Sequence, residues 1–235
     1  ACSCMGPAPE LLAPSRQLNA PLNTHVSVVL PVYPKGQLVL RKHRGADVPT
    51  KRIDSPLQNI SYVSLVPEKP LDAETRYEVA LIRTDRHPST LVFGTFVTGK
   101  TSDTTAPAAP KITRTTVNAH RGSAMTSCAV HTPWAEVFLN PSNDPDRDDA
   151  QLLYAVWAAS GKGTIDLNAP PTAYLQEEKG KLKLGRTSYC DPEEFPLPTS
   201  GNVALAIVAI DEAGNRSAPQ RTSLTMSLPQ EAQQP

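Results

Sequence analysis

The segment 203–219, VALAIVAIDEAGNRSAP, constrains the fold more than any other part of the chain. Its apolar run ends at Ile210 and is rich in β-branched residues, which favour strands. Asp211, Gly214 and Asn215 then supply the residue types that tight turns require. The segment therefore predicts a strand, a turn and the beginning of a second strand.

Proline is twice as frequent as glycine, with 24 against 12 residues in a chain of 235. Because proline is excluded from helix interiors and from central strands, this density predicts many short elements with fixed turns. The best helical candidate, QLLYAVWAA at 151–159, is short enough to be a strand. The chain has the length of one large or two ordinary domains. These features favour an all-β fold, and the strand spacing and motifs described below make two tandem antiparallel β-sandwiches the expected architecture.

The charge balance argues against several classes of partner. Lys and Arg number 23, and Asp and Glu also number 23, so no global field attracts nucleic acid. No apolar run of 18 residues is present, so no membrane span is predicted. The partner expected for such a chain is a protein or a cell-surface polysaccharide, and the chain itself is predicted to be a monomer.

A segment rich in Pro and Thr, KTSDTTAPAAP at residues 100–110, divides the chain. It is predicted to run as an extended, semi-rigid linker between a domain at 10–99 and a domain at 111–228. The polar tail 229–235 is predicted to be disordered. Within the first domain, apolar runs predict strands at 26–30, 37–41, 60–66, 77–82 and 91–99. The run at 60–66 alternates apolar with polar residues, which predicts one buried face.

Three short motifs of the first domain are APLNT at 20–24, LDAETRYEV at 71–79 and TFVTG at 95–99. They resemble the bacterial Ig-like domains of surface-layer and other exported proteins. The resemblance implies an Ig-like sandwich at 10–99. It also places Tyr77 at the position of a tyrosine corner, where the hydroxyl bonds to nearby backbone.

The second domain resembles a fibronectin type III domain in three of its segments, WAEVFLN at 134–140, LLYAVWA at 152–158 and 203–211. These look like the second, third and penultimate strands of that family, which implies a sandwich at 111–228. The family usually has tyrosine at the start of the penultimate strand, where this chain has Val203. The segment between Ala159 and Pro198 is long for the family, which indicates an insertion or a modified sheet edge.

Four cysteines, an even number, favour an oxidising compartment. Ala1 and the Cys-Ser-Cys that follows it look like a mature N-terminus after removal of a leader. The predicted location is therefore secreted, periplasmic or at the cell surface of a bacterium. In an alternative, Cys2 is the lipidated cysteine of a lipoprotein.

The four cysteines allow three pairings. Because Cys128 and Cys190 lie in the same domain, we favour a bridge between them, with a second bridge between Cys2 and Cys4. A bridge across one intervening residue is strained, so Cys2 or Cys4 crossing to the other half is the alternative. Zinc is disfavoured, because Cys-x-Cys has neither a second close pair nor a local histidine.

The loop NPSNDPDRDD at 140–149 is acidic. Asp144, Asp146, Asp148 and Asp149 alternate in a way that presents several oxygens to a hard cation, so they are candidate calcium ligands. The glycine and the closing glutamate of an EF-hand are missing. The same residues also suit a solvated turn between the second and third strands. No other cofactor is predicted.

No catalytic motif is found in the sequence. The motifs HExxH and GxSxG are missing, as are a phosphate loop and a dinucleotide fingerprint. The five histidines are scattered and lack i, i+4 spacing: His25, His43, His87, His120 and His131. We predict a non-catalytic exported surface or periplasmic protein that acts as a binding, adhesion or spacer module. A carbohydrate-binding or accessory module of an extracellular enzyme system is the alternative, and it requires Trp134 or Trp157 to be exposed. A hydrolase or inhibitor would instead show a polar cleft at the domain junction.

Two basic stretches stand out, at 41–44 with 51–52 and at 179–186. They predict lysine-rich hairpins or edge strands that are guarded against edge-to-edge pairing, with a polyanion contact as the alternative. Trp134 and Trp157 are predicted to be core residues of the second sandwich.

Overall fold

The computed structural model describes residues 8–14, 18–31, 36–56, 60–84, 88–119, 133–140, 142–145, 152–161, 163–185 and 197–227. Every regular element in these ranges is a β-strand, and all the strands pair antiparallel, which confirms the predicted all-β class. The predicted disulfides of Cys2, Cys4, Cys128 and Cys190 lie outside the described residues, as do Asp146, Asp148 and Asp149.

Seven strands form the first sandwich: β1 (Glu10–Ala13), β2 (Val26–Pro31), β3 (Gly36–Lys42), β4 (Thr50–Pro56), β5 (Ile60–Pro67), β6 (Arg76–Arg83) and β7 (Ser89–Val97). One sheet has the order β1-β2-β5-β4 and the other β3-β6-β7. Lettered in chain order, the sheets are ABED and CFG, the arrangement of a constant-type Ig domain. The Ig-like architecture expected for this half is confirmed.

The core of the first sandwich follows from the alternation of its strands. Val26 and Val28 on β2 point inward and are fully buried, as are Val63 and Leu65 on the neighbouring β5. Successive strand residues face opposite sides of a sheet, so this spacing places one row of apolar side chains between the two sheets.

Tyr77 forms the tyrosine corner implied by the Ig-like resemblance. The backbone N–H of Asp72 donates to the Tyr77 hydroxyl at 2.9 Å. The Tyr77 ring is buried and stacks on Phe96, with 5.5 Å between the ring centroids. This pair of contacts holds the loop before β6 against the core.

The second sandwich contains β8 (Lys111–Ala119), β9 (Pro133–Asn140), β10 (Leu153–Ser160), β11 (Ala173–Gln176), β12 (Lys181–Gly185), β13 (Ser200–Ile210) and β14 (Gln220–Ser227). Its sheets have the orders β12-β9-β8 and β11-β10-β13-β14. Here the fourth strand, β11, pairs with the third, whereas β4 of the first sandwich pairs with the fifth. The second sandwich is therefore fibronectin type III-like, and its last hairpin is the one that segment 203–219 predicts.

The two tryptophans of the second sandwich lie on outer faces rather than in its main core. Trp134 is half-buried on β9, and its neighbour Ala135 points into the core instead. Trp157 is buried on the outer face of β10, where its indole N–H donates to the Ala169 carbonyl at 2.8 Å. The prediction of two core tryptophans is therefore wrong for Trp134, while Trp157 is buried beneath the long segment that follows β10.

The basic stretches lie on edge strands, as predicted. β3, β4 and β12 each end the order of their sheet. Their basic side chains contact acidic side chains: Arg41 and His43 contact Glu78, Lys42 contacts Asp72, Arg52 contacts Asp54, Lys181 contacts Glu136, and Lys183 contacts Glu178. These contacts compensate part of the charge of the two stretches, and the exposed Arg44, Lys51 and Lys179 lie outside these pairs.

Among the described residues, no helix has the length and apolar character needed to cross a bilayer.

Candidate functional site

The segment between β7 and β8 is hydrogen-bonded to both sandwiches. Leu22 of the first sandwich donates from its backbone N–H to the Thr101 carbonyl at 3.0 Å. The Asn23 side-chain amide makes two hydrogen bonds to the backbone of Asp103. Its Nδ2 donates to the Asp103 carbonyl at 2.7 Å, and its Oδ1 accepts from the Asp103 N–H at 2.9 Å. From the second sandwich, Asn215 Nδ2 donates to the same Asp103 carbonyl at 3.3 Å. Asp103 is therefore fixed at the point where the two sandwiches meet.

An apolar cluster joins the two sandwiches beside this segment. Leu12 and Tyr62 of the first sandwich are buried against Leu153 of the second. The rings of Tyr62 and Tyr174 lie with centroids 5.3 Å apart. Tyr62 lies on the face of β5 opposite Val63, which points into the core of the first sandwich. The second sandwich therefore buries part of the face of β5 that the alternation at 60–66 did not predict to be buried.

A cavity of about 250 Å³ opens at the junction. The aromatic pair Tyr62 and Tyr174 lines one part of it, and His25 and Arg216 line another. Burial, and then the charge of Arg216, lower the pKa of the His25 ring from 6.5. The cavity lies at the domain junction, where the hydrolase hypothesis requires a polar cleft, but its lining is predominantly apolar.

The cavity does not assemble a nucleophile with a base within the described part of the chain. No side chain there hydrogen-bonds to the His25 ring, although Ser27 and Ser64 also line the cavity. Covalent catalysis needs a hydroxyl or thiol in hydrogen-bond reach of its base. The geometry gives the hydrolase hypothesis no support beyond the presence of a cleft.

Three buried carboxylates meet next to the cavity. Asp103 comes from the segment between the sandwiches, Asp144 from the loop between β9 and β10, and Asp211 from the turn between β13 and β14. One carboxylate oxygen of each lies within 4.8 Å of those of the other two. The three residues are 7 %, 3 % and 4 % exposed, respectively. We call this group the junction carboxylates.

Asp211 is held by the turn that follows β13. Its Oδ1 accepts from the backbone N–H groups of Ala213 and Asn215, each at 2.8 Å, and its Oδ2 accepts from Asn215 Nδ2 at 2.9 Å. Burial raises the pKa of the Asp211 carboxyl to about 6, with a further rise from the charge of Asp103 and an opposing effect of the Asn215 hydrogen bonds. The turn therefore keeps this carboxylate buried and oriented.

Beyond the end of β9, the structure describes residues 142–145 of the acidic loop. Asp144, one of the four candidate calcium ligands, is buried and joins Asp103 and Asp211. Asp103 and Asp211 carry no sequence motif of a site, because Asp103 lies in a stretch typical of a linker and Asp211 in a stretch typical of a turn. The only local signal was that Asp211 directly follows a buried strand.

The outward aromatic face required by the carbohydrate-binding alternative is only partly present. Trp157 is buried and hydrogen-bonded. Phe138 shares the outer face of β9 with Trp134, but the Arg114 guanidinium lies over its ring at 4.1 Å from the centroid. Among the described aromatics of this face, Trp134 is thus the one left for stacking on a sugar.

Comparison with known proteins gives only distant structural alignments. No protein-family model matches the chain. No curated protein matches it either. Solved structures that align with it include the N-terminal Ig1-2 module of the Drosophila receptor protein tyrosine phosphatase DLAR, at 13 % identity, TM-score 0.29, covering 94 % of this chain and 100 % of that one.

Two further alignments are with fibronectin modules. The FN1-FN3 domains of chicken CNTN1 share 12 % identity, with TM-score 0.29, over 96 % of this chain and 66 % of that one. The fibronectin(III)-like modules of Clostridium thermocellum CbhA share 8 % identity, with TM-score 0.29, over 94 % of both chains. At such low TM-scores these alignments carry no argument for function, and the strand order of each sandwich defines the fold.

Proposed function

We propose that the protein is a non-catalytic, exported binding or spacer module of the bacterial surface or periplasm. The observation that carries this proposal is the junction, where an apolar cluster and direct hydrogen bonds fix the two sandwiches to each other. His25 N–H donates to the Glu212 carbonyl at 2.8 Å, and Gln176 Nε2 donates to the Leu12 carbonyl at 3.2 Å. A fixed orientation is what a module needs in order to present its loops or to hold neighbouring domains at a set distance.

Small-angle scattering tests the fixed orientation. We expect the intact chain to behave as one rigid particle, because separating the sandwiches would expose Tyr62 and Leu153 to water. The double variant Tyr62→Ser/Leu153→Ser should give a larger radius of gyration and the signature of two bodies joined by a flexible segment. Equal flexibility of the wild-type chain and this variant would remove the support for a spacer.

Export and the absence of a lipid are tested by fractionating the producing cells and measuring the intact mass of the native protein. With two disulfides and no lipid, alkylation before reduction adds no mass, and alkylation after reduction labels all four cysteines. A diacylglycerol adduct on Cys2 would make the protein a membrane-tethered lipoprotein. Four free thiols in a cytosolic fraction would contradict export.

The partner of such a module is proposed to be a protein or a cell-surface polysaccharide, bound by a monomer. Trp134 is the described residue on which a polysaccharide would stack. Trp134→Ala should abolish retention on a polysaccharide column if sugar is the ligand, whereas the buried Trp157 cannot be used as a control because its loss would disturb the fold. Unchanged retention of Trp134→Ala would point to a different surface.

A further inference from the structure

We propose that Asp103, Asp144 and Asp211 bind one calcium ion at the junction of the two sandwiches. This inference goes beyond the binding or spacer function and does not depend on it. It rests on the position, burial and chemistry of the junction carboxylates.

The first step concerns charge. The three carboxylates are at least nine-tenths buried, and their oxygens lie within 4.8 Å of one another. Like charges this close repel strongly once water is excluded, so a buried group of this kind needs a compensating cation or protons. Among the described residues, no Lys, Arg or His forms an ion pair with Asp103 or with Asp211, whereas Asp144 has a further interaction of its own. The charge argument therefore concerns Asp103 and Asp211.

The second step is independent of the charge count. Asp103 Oδ1 accepts a hydrogen bond from the Thr105 N–H at 3.0 Å. Asp103 Oδ2 is buried and accepts no hydrogen bond from any described residue. A buried carboxylate oxygen without a donor is costly, because it has lost water and gained nothing. A bound cation beside the other two carboxylates supplies the missing interaction.

The donor set identifies the ion. All three ligands are carboxylate oxygens, which suit hard cations, while zinc and copper sites are built from histidine and cysteine. Calcium takes six to eight oxygens at about 2.3–2.6 Å, so two of its ligands are never more than about 5 Å apart. The oxygens of the three junction carboxylates, which all lie within 4.8 Å of one another, satisfy that condition. Magnesium usually keeps several waters and takes only one or two carboxylates, so three converging carboxylates favour calcium.

The position of the ligands gives the ion a structural role. Asp103 is bonded on one side to Asn23 of the first sandwich and on the other to Asn215 of the second. The ion would therefore tie the segment between the sandwiches to two loops of the second sandwich, Asp144 on one and Asp211 on the other. Calcium should therefore stabilise the attachment of the segment that contains Asp103 to the second sandwich.

The test uses the full chain after removal of divalent ions with EDTA. We expect calcium to bind with a one-to-one stoichiometry in isothermal titration calorimetry, and saturating calcium to raise the Tm by about 5 °C or more. Asp103→Asn and Asp144→Asn should each weaken calcium binding at least tenfold, because each removes one charged ligand. Asp47→Asn, an exposed residue with the same change of charge, is the matched control and should bind like the wild type.

A second readout separates a metal site from a merely structural cluster. In EDTA, Asp103→Asn should raise the Tm, because it removes one of three like charges and keeps the carbonyl oxygen that accepts from Thr105. In calcium, the same variant should have a lower Tm than the wild type. This reversal is not expected if the carboxylates serve only as hydrogen-bond acceptors.

Four results would overturn the proposal. The first is no heat and no Tm shift of the wild type with millimolar calcium. The second is wild-type affinity in Asp103→Asn, which would place any bound ion elsewhere, including the acidic loop beyond Asp144. The third is an equal loss of binding in Asp47→Asn. The fourth is tighter binding of magnesium than of calcium. None of these results changes the scattering expected of a rigid spacer, so the two proposals can fail separately.

Discussion

At the scale of single residues, the hydrogen bond of the tyrosine corner allows a prediction of its contribution to the free energy of unfolding. Tyr77→Phe keeps the ring that stacks on Phe96 and removes only the acceptor of the Asp72 N–H. An unmet backbone donor at a partly buried site costs about 1 kcal/mol, so the Tm should fall by about 2–4 °C. Thermal unfolding followed by circular dichroism measures the change.

A matched control for this prediction is Tyr174→Phe. The Tyr174 hydroxyl makes no hydrogen bond within the described part of the chain, and its ring is also packed against an aromatic neighbour. The control should therefore leave the Tm unchanged. An equal Tm for the two variants would show that the Tyr77 hydrogen bond contributes nothing to stability.

His25 makes a residue-scale contribution that depends on pH. Its pKa in the folded protein is lowered from 6.5 by burial and by Arg216, so the unfolded chain binds the proton first as pH falls. The contribution of the neutral ring is complete above about pH 6.5 and declines below it. The Tm advantage of the wild type over His25→Gln should therefore shrink on acidification, and NMR titration should give a ring pKa below 6.5. A ring pKa at or above 6.5 would contradict the packing of His25.

At the scale of elements, most strands could be predicted because their signal is local. The apolar run of β13 and the alternation of β5 give both position and type. The lysine–leucine alternation of β12 also identified an edge strand, since Leu182 and Leu184 are buried while Lys183 is exposed. Local patterns could not predict that Trp157 is buried by Ile165 and Leu167, because the segment that carries these two residues has no periodic pattern of its own.

The turn between β13 and β14 gives an element-scale prediction. Gly214 has a φ of +83°, and a Cβ at this position would overlap the His25 ring of the other sandwich. Gly161 has a φ of +66°, but nothing lies within 4 Å of its ideal Cβ position. Both alanine substitutions incur the left-handed backbone penalty of about 1 kcal/mol, and only Gly214→Ala adds a clash.

Chemical denaturation should therefore show Gly214→Ala to be less stable than Gly161→Ala by roughly 1 kcal/mol or more. The two variants share the change in residue type, so their difference isolates the contact between the turn and His25. Equal losses of stability would mean that the turn and the first sandwich are not in close contact in solution.

For the whole molecule, the sequence indicated two sandwiches but not how they meet. Tyr62 belongs to a strand whose other face fills the first core, so its own burial depends on a partner surface that no local pattern reveals. The burial of Asp103 could not be predicted either, because its neighbours Asn23, Asp144 and Asp211 come from segments far apart in the chain. Junctions are assembled from long-range contacts, and the composition of residues 100–110 indicated only an extended, semi-rigid linker.

The shared cluster predicts that the two sandwiches unfold together. Leu12, Tyr62 and Leu153 are buried only while both sandwiches are folded and docked, so the loss of one sandwich exposes apolar surface of the other. Differential scanning calorimetry of the intact chain should show one transition. In Tyr62→Ser/Leu153→Ser the coupling is removed, and two transitions should appear, the less stable one shifted down by several degrees.

Leu91→Ser/Val92→Ser is the matched control, because it removes two apolar side chains that are already 42 % and 40 % exposed and lie away from the junction. Two transitions in the wild type, or a single one in the junction variant, would show that the cluster does not couple the sandwiches.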